Sequence, residues 1–580
     1  MANKKFGSDL IVDVIKQYDF DYVTFNPGAS FRGLHDSLVN YGENKKPMVI
    51  ECPHENTAVG IAHGYAKALG KPTFTMLHNL VGLLHGCLAI YYAYEDKVPI
   101  IIGGATGPMD LAKRRPHIDW IHTALIQGNM VRDYVKWDDQ PYSIQAVPES
   151  FARAYRVANM EPKGPTYINF DVTLQEDPLD GEVPLLNVQK LMPPTPMQAD
   201  SGALEKTADL LVKARNPVIL AGYVGRNKAS VEKLIELSEL LSIPVIDLMN
   251  RFNFPNTHPM DLWGSDVLES ADLLLALDVR DLAEPTTKRD PATKKNLCFL
   301  TGACKVIEMG FSDLGISAWS MQYEKLQEVD LSILCDTSIA LPELIKKCQE
   351  RLSRDPSKRE EIKKRFDALR SKHDAVRNKW KEDARKNWDL APMTLPRLAS
   401  EVWEVIKGED WLLTANSLKK WTRRLWDWDK SYRFQGESLG TATQINISLG
   451  VALAYKGTDK LVVDIQPDGD LLYDPSALWV ASKYKIPMLV VMLNNRSYFN
   501  SWNHQTLVAK QRGNPVDRAN LGTELSGPAP DFAKLAQSFG WYAEGPIEDP
   551  KKVQEALKRA IQVIRKEGRP ALVDTVTQLS

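Results

Sequence analysis

The chain has 580 residues, 44% hydrophobic and 25% charged, an ordinary globular composition too long for one core; at ~150 residues per unit it holds three or four domains. Its 72 basic and 74 acidic side chains leave a formal charge of -2, which excludes the global field that draws nucleic acid or an anionic membrane. Six cysteines without a CxxC pair exclude a zinc site, an iron–sulfur cluster and a disulfide framework. No run approaches the roughly 18 to 20 apolar residues of a membrane span, and "MANKKFGSDLIVDVIKQY" lacks a signal peptide's apolar core, so the expected compartment is the cytoplasm.

In chain order, "YVTFNPG", "PMVIECP", "PTFTMLHN", "VPIIIGGAT" and "PTYINFDV" read as short buried strands, with helical spacing over 55–69 and 80–93 between them. A Pro-rich stretch, "VPLLNVQKLMPPTPMQADSG", closes this first domain, residues 1–185. A second alternating set, "NPVILAGYVG", "IPVIDLMN", "ADLLLALDV", "CKVIEMG" and "VDLSILCD", fills residues 200–350. Residues 351–392 are dense in mixed charge at helical spacing and read as a solvated connecting helix. The third set, "DWLLTANS", "KLVVDIQPDG", "PMLVVMLNN", "GWYAEGPI" and "PALVDTVTQ", occupies 393–580. Strands alternating with helices predict an α/β chain of three doubly wound parallel-sheet domains.

Histidines are unevenly spread, with seven of ten between residues 35 and 122, which makes the first domain the candidate for proton transfer. In the third domain "PDGD" closes a strand, and Asn494-Asn495 closes the next. In a parallel sheet both loops emerge at the same edge, so Asp468 and Asn495 become neighbours although far apart in sequence. A carboxylate and an amide oxygen suit a hard cation such as Mg2+, and Gly469 permits close approach of a phosphate. Alone, an Asp-Gly pair is a surface turn.

The extended stretch "PDGDLLYDPSALWVASKYKIPMLVVMLNNRSY" resembles the motif by which thiamine-diphosphate enzymes hold their cofactor through a metal. The resemblance implies that Asp468 and Asn495 ligate the metal by side chains and Ser497 by its carbonyl, with Gly469 and Asp470 beside the diphosphate. "IECPHENTAVGIAHGYAKALGKP" is similar to the family's first-domain segment, which makes Glu55 the carboxylate that activates the aminopyrimidine and so the cofactor ylid.

The likeness extends over nearly the whole chain, as the pyrimidine-binding (PYR), central Rossmann-like and diphosphate-binding (PP) domains of the acetolactate synthase, benzoylformate decarboxylase and pyruvate decarboxylase group. It implies a catalytic role for His78 in "TMLHNLVGLLHG" and for His258 in "FNFPNTHPMDLWG", and a wedge under the cofactor from Leu439 in "GESLGTATQINISLGVALA". The backbone at Glu437 would meet the aminopyrimidine amine; Ala29, Ser30 and His117 would face substrate. Pro467 replaces the motif's first glycine, and Asp470 replaces a small residue where a negative charge should repel phosphate. "DVRDLAEPTTK" resembles the synthase flavin segment only faintly, so no FAD is expected.

The implied activity is decarboxylation of a 2-oxo acid through an enamine or carbanion intermediate, with possible carboligation. The alternatives are a non-decarboxylating carboligase or carbon–carbon lyase of the benzaldehyde lyase or dione hydrolase kind, an acetolactate synthase-like transferase, and a cofactor binder without turnover. The family builds each site between subunits, so a homodimer or homotetramer is expected, with a small 2-oxo acid or ketone as substrate and neither nucleic acid nor membrane as partner.

Overall fold

The structure is a computed structural model describing residues 5–290, 293, 295–315, 321–415, 418–436 and 440–579. The first sheet contains β1 (Tyr22–Phe25), β2 (Met48–Glu51), β3 (Thr73–Met76), β4 (Ile100–Thr106), β5 (Asp138–Asp139) and β6 (Thr166–Asp171), ordered β2-β1-β3-β4-β6-β5 and parallel throughout. The second has β7 (Pro217–Ala221), β8 (Val245–Asp247) and β9 (Leu273–Leu277); after an antiparallel ribbon of β10 (Thr287–Arg289) and β11 (Asn296–Cys298) come β12 (Lys305–Gly310) and β13 (Leu331–Leu334). Its order is β13-β12-β9-β7-β8. The third sheet, β14 (Trp411–Ala415), β15 (Leu461–Pro467), β16 (Leu489–Asn494), β17 (Tyr542–Ile547) and β18 (Ala571–Val576), is ordered β14-β15-β16-β18-β17. The three parallel α/β sheets are therefore present. The sequence pattern misses β5 and the β10–β11 ribbon because strands of two and three residues are too short to carry a hydrophobic period.

The chain divides into two compact units. One joins the first and third sheets: Met1–Pro194, Asn387–Lys419 and Ser438–Ser580. The other holds the second sheet: Thr195–Lys386 with Lys420–Glu437.

Helices that position the sites are α1 (Glu55–Leu69), α2 (Leu80–Glu95), α3 (Lys228–Leu241), α4 (Lys358–Ala384), α5 (Gln444–Ala454) and α6 (Phe499–Arg512). In the first unit α1 packs directly on α5. A Cβ at Gly64 would lie 1.9 Å from the Ile447 carbonyl oxygen, and one at Gly450 would lie 2.1 Å from that of Ile61. The two backbones touch only because side chains are missing there, and this contact fixes the first sheet against the third.

In the second unit the return of residues 420–437 is held by the fully buried Arg423, whose Nη2 donates to Asp261 at 2.7 Å while Nη1 lies 3.8 Å from Asp247. Such a long-range ion cluster leaves no local trace in sequence. Helix α4, read from its charge as a solvated connector, buries only His373 and Ala384 and lays one narrow face on this unit. Ile362, Phe366 and Leu369 pack on the core, and Arg365 donates to the carbonyls of Leu241 and Ser242 at the end of α3.

Candidate active site

Strand order places a topological switch point between β1 and β3, where open parallel sheets bind ligands beyond their carboxyl ends. Two sequence-predicted residues meet there. Ser30 sits in the single turn Ala29–Phe31 after β1, and His78 follows β3. Fully buried Ser30 Oγ accepts the Asn79 N–H at 3.1 Å and lies 2.8 Å from His78 Nδ1. The Ser30–His78 bond holds the ring in place, and which of the two donates is set by the imidazole tautomer. Gly28 makes the approach possible, since a Cβ there would lie 2.3 Å from His78 Nδ1. Burial, then His122 and Arg115, lower the His78 pKa to about 4, so the ring is neutral at ordinary pH.

His122 was not singled out in the sequence, yet its ring lies edge-on to His78 at 5.2 Å between centroids. The clustering of histidines was the signal that could have found it. His117, the predicted neighbour, is exposed at φ 77° on the same loop; Ala29 is also exposed.

Glu55 opens α1, after His54 caps it by accepting the Asn56 N–H on Nδ1. The Glu55 carboxylate is buried, with Oε2 3.2 Å from His85 Nδ1 on α2. Beside Oε1 lies Gly82, where a Cβ would approach to 2.8 Å. Asn56 donates to the Ala442 carbonyl at 3.2 Å, so α1 begins beside the segment that leads into α5.

In the third sheet Pro467 pairs with Leu493, and the β15 and β16 loops emerge together. Asp468 Oδ2 and Asn495 Oδ1 both accept the Ser497 N–H, at 3.2 and 3.0 Å, so the two side-chain oxygens converge. Adjacent Asn494 points the other way, donating to Asp574 at 3.0 Å. Burial raises the Asp468 carboxyl to about 6, which a bound divalent cation would reverse. Two convergent hard oxygens fit Mg2+, and a buried carboxylate next to a side-chain-free position at Gly82 fits an aminopyrimidine.

Asp470 does not stand free against the expected diphosphate. Its Oδ1 accepts the Ala442 N–H at 2.9 Å, and its Oδ2 accepts Gln466 Nε2 at 3.0 Å. Through Ala442 it anchors the run Gly440, Thr441 and Ala442, held at φ 73°, 55° and 71° just before α5. Gly469 lies under Tyr498, whose ring a Cβ would meet at 2.4 Å. The predicted Glu437 and Leu439 lie outside the described residues.

His258 belongs to the second unit. Its Nε2 lies 3.1 Å from Glu239 of α3, and its Nδ1 accepts the Met260 N–H at 3.1 Å, so both ring nitrogens are engaged locally.

Residues 6–126, 204–311 and 415–575 match the N-terminal TPP binding domain, the central domain and the C-terminal TPP binding domain of the thiamine pyrophosphate enzymes. A probable acetolactate synthase large subunit of Methanococcus aeolicus is 24% identical, with 96% of this chain and 90% of that protein covered. The mitochondrial acetolactate synthase catalytic subunit of Aspergillus candidus is 24% identical over 99% of this chain and 80% of its own length. Benzoylformate decarboxylase of Pseudomonas aeruginosa is 24% identical over 94% and 96%. The crystal structure of benzoylformate decarboxylase from Polynucleobacter necessarius superposes with a TM-score of 0.74 at 18% identity, covering 99% of both chains. With all three domains matched in order, this chain belongs to the family of thiamine-diphosphate-dependent enzymes.

Proposed function

We propose that the enzyme cleaves the carboxylate from a 2-oxo acid and passes the remaining acyl unit to a second carbonyl compound, as an acetolactate synthase-like transferase. The observation that carries this reading is the meeting of Ser30 and neutral His78 at the switch point of the first sheet. The acetolactate synthases among the relatives support transfer over the simple decarboxylation implied by the sequence resemblance. Release of an aldehyde is the second reading, favoured by the likeness to benzoylformate decarboxylase.

Thiamine diphosphate supplies a nucleophilic carbon and an electron sink when bound. Asp468, Asn495 and the Ser497 carbonyl would hold Mg2+, and Glu55 would hold and return a proton at the aminopyrimidine. His78 stays neutral because it is half-buried, and in the tautomer that carries its proton on Nε2 it can donate a hydrogen bond to a substrate oxygen while Ser30 fixes the ring. A neutral donor steadies developing negative charge without trapping the substrate carboxylate as an ion pair.

The second unit is proposed to carry no flavin. Supporting this, Arg226, in the turn after β7, is taken up by pairs with Asp278 and Asp336 and lies over the Phe311 ring at 5.3 Å. A homodimer or homotetramer is also inferred. Helix α6 has no buried residue, and Trp120 and Leu125 are 76% and 77% exposed, apolar surface of the kind a second copy covers. No helix among the described residues is long and apolar enough to cross a membrane; a cytoplasmic location is part of the proposal.

The test is to load the protein with thiamine diphosphate and Mg2+ and offer a panel of 2-oxo acids. Carbon dioxide with an equal yield of a 2-hydroxy-2-alkyl-3-oxo acid or related adduct supports transfer; carbon dioxide with an equal yield of aldehyde supports the second reading. Cofactor binding by calorimetry without either product would sink both. EDTA should abolish turnover and Mg2+ restore it, and sedimentation of an active monomer would remove the oligomer from the proposal.

A further inference from the structure

His85 lies outside every role assigned so far, yet its side chain is in contact with the Glu55 carboxylate. Helix α2 holds it so that Nδ1 is 3.2 Å from Glu55 Oε2, and its ring stacks on His54 at 4.9 Å between centroids and 20° between planes. A ring nitrogen of His54, a carboxylate oxygen of Glu55 and a ring nitrogen of His85 all lie within 4.8 Å of one another. Glu55 is buried, 7% exposed in its side chain, whereas His85 is 61% exposed, so the imidazole spans from the hidden carboxylate to water. His54 offers no such path at its Nδ1, which is committed to the helix cap. The geometry therefore has a buried carboxylate and a largely exposed imidazole bridging it to solvent.

We propose that His85 is a positioning residue for Glu55 that also carries its proton to and from solvent. This rests on Glu55 being the activating carboxylate. In the outward direction the O–H bond at Oε2 breaks as an N–H bond forms at His85 Nδ1, and the N–H bond at Nε2 breaks to give its proton to water. The ring ends in the other tautomer, one proton has moved, and no electron has. The inward direction reverses each step. Stacking on His54 holds the ring in register with Oε2 while leaving its far edge open.

The experiment follows hydrogen–deuterium exchange at the thiazolium carbon of bound thiamine diphosphate by quenched-flow NMR at one pH. Calorimetry measures cofactor binding in parallel. His85→Asn keeps a donor near the Nδ1 position but cannot relay, so exchange should slow by about 10²-fold with cofactor affinity unchanged. His85→Ala should slow similarly and recover on adding imidazole to the buffer. Exchange at the wild-type rate in His85→Asn overturns the proposal. So does slowing in His85→Ala that imidazole leaves untouched, because the histidine would then only shape the site. Undiminished exchange in Glu55→Gln strikes instead at the functional reading on which this rests.

Discussion

Thr57 donates its hydroxyl to Asp474 at 2.6 Å, joining the first turn of α1 to the loop beyond β15 through a buried bond. Asp474 is also held by Asn446 of α5 at 2.9 Å and by Ser476 at 2.6 Å. The proposed activating carboxylate and the proposed metal loop thus share a scaffold two residues from Glu55. Thr57→Val keeps the shape and removes one donor from a buried carboxylate, which should cost about 1–3 kcal/mol. Urea unfolding measures it, and an unchanged midpoint would show the bond to be incidental.

Gly64→Ala tests the contact of α1 with α5. Alanine gains about 1 kcal/mol over glycine in a helix interior. Here its methyl would sit 1.9 Å from the Ile447 carbonyl oxygen, and two helix backbones must part to admit it. Overpacking of this kind costs about 1–3 kcal/mol, so the net effect is destabilising, read as a lower Tm. A higher Tm would mean that the helices separate easily.

Asp470→Ala distinguishes two views of this unusual carboxylate. If it serves as acceptor for the Ala442 N–H, its loss releases the left-handed run before α5 and costs about 0.5–2 kcal/mol, as at a helix cap. Were it chiefly a charge facing the diphosphate, the variant would keep its stability and bind cofactor more tightly. The expected outcome is the first, measured by thermal unfolding of the cofactor-free protein.

Asp464, fully buried in β15, accepts from Gln444 Nε2 at 2.7 Å, and burial raises its pKa from 3.8 to about 7. The folded pKa exceeds the unfolded one, so this contribution to stability is complete below about 3.8 and is lost as pH rises through about 7. Between those values the contribution falls by about 1.4 kcal/mol per pH unit. Asp464→Asn, neutral at every pH, should flatten that slope; an identical pH profile in wild type and variant would refute the assignment.

The parallel sheets, the shared edge of the Asp468 and Asn495 loops and the start of α1 at Glu55 were legible because each follows from a local pattern: buried β runs, a turn residue at a strand end, a cap before a periodic stretch. Ser30 and His78 were each visible singly, but their bond depends on strand order, which periodicity does not report. His122 and His85 were missed for the same reason, since the first approaches through a loop and the second through the packing of α2 on α1. Asp470 was legible as an anomaly, while its explanation lay in Ala442, a residue with no chemical signal of its own. His258 looked like a site residue by resemblance, and the structure gives both its ring nitrogens local partners.

The docking of α4 bears on how the enzyme tolerates its ionic surroundings. A helix so crowded with charge invites the expectation that dissolved salt will loosen it, and its outward pairs, such as Lys364 with Glu360 at 3.8 Å, will weaken once screening lengths shrink below ~10 Å. Arg365, however, directs its guanidinium at the uncharged carbonyls of Ala214, Arg215, Leu241 and Ser242, and burial lowers its pKa. Short dipolar contacts out of reach of counterions keep their strength in brine, so the second unit should hold its longest helix where its surface charge alone would let it go.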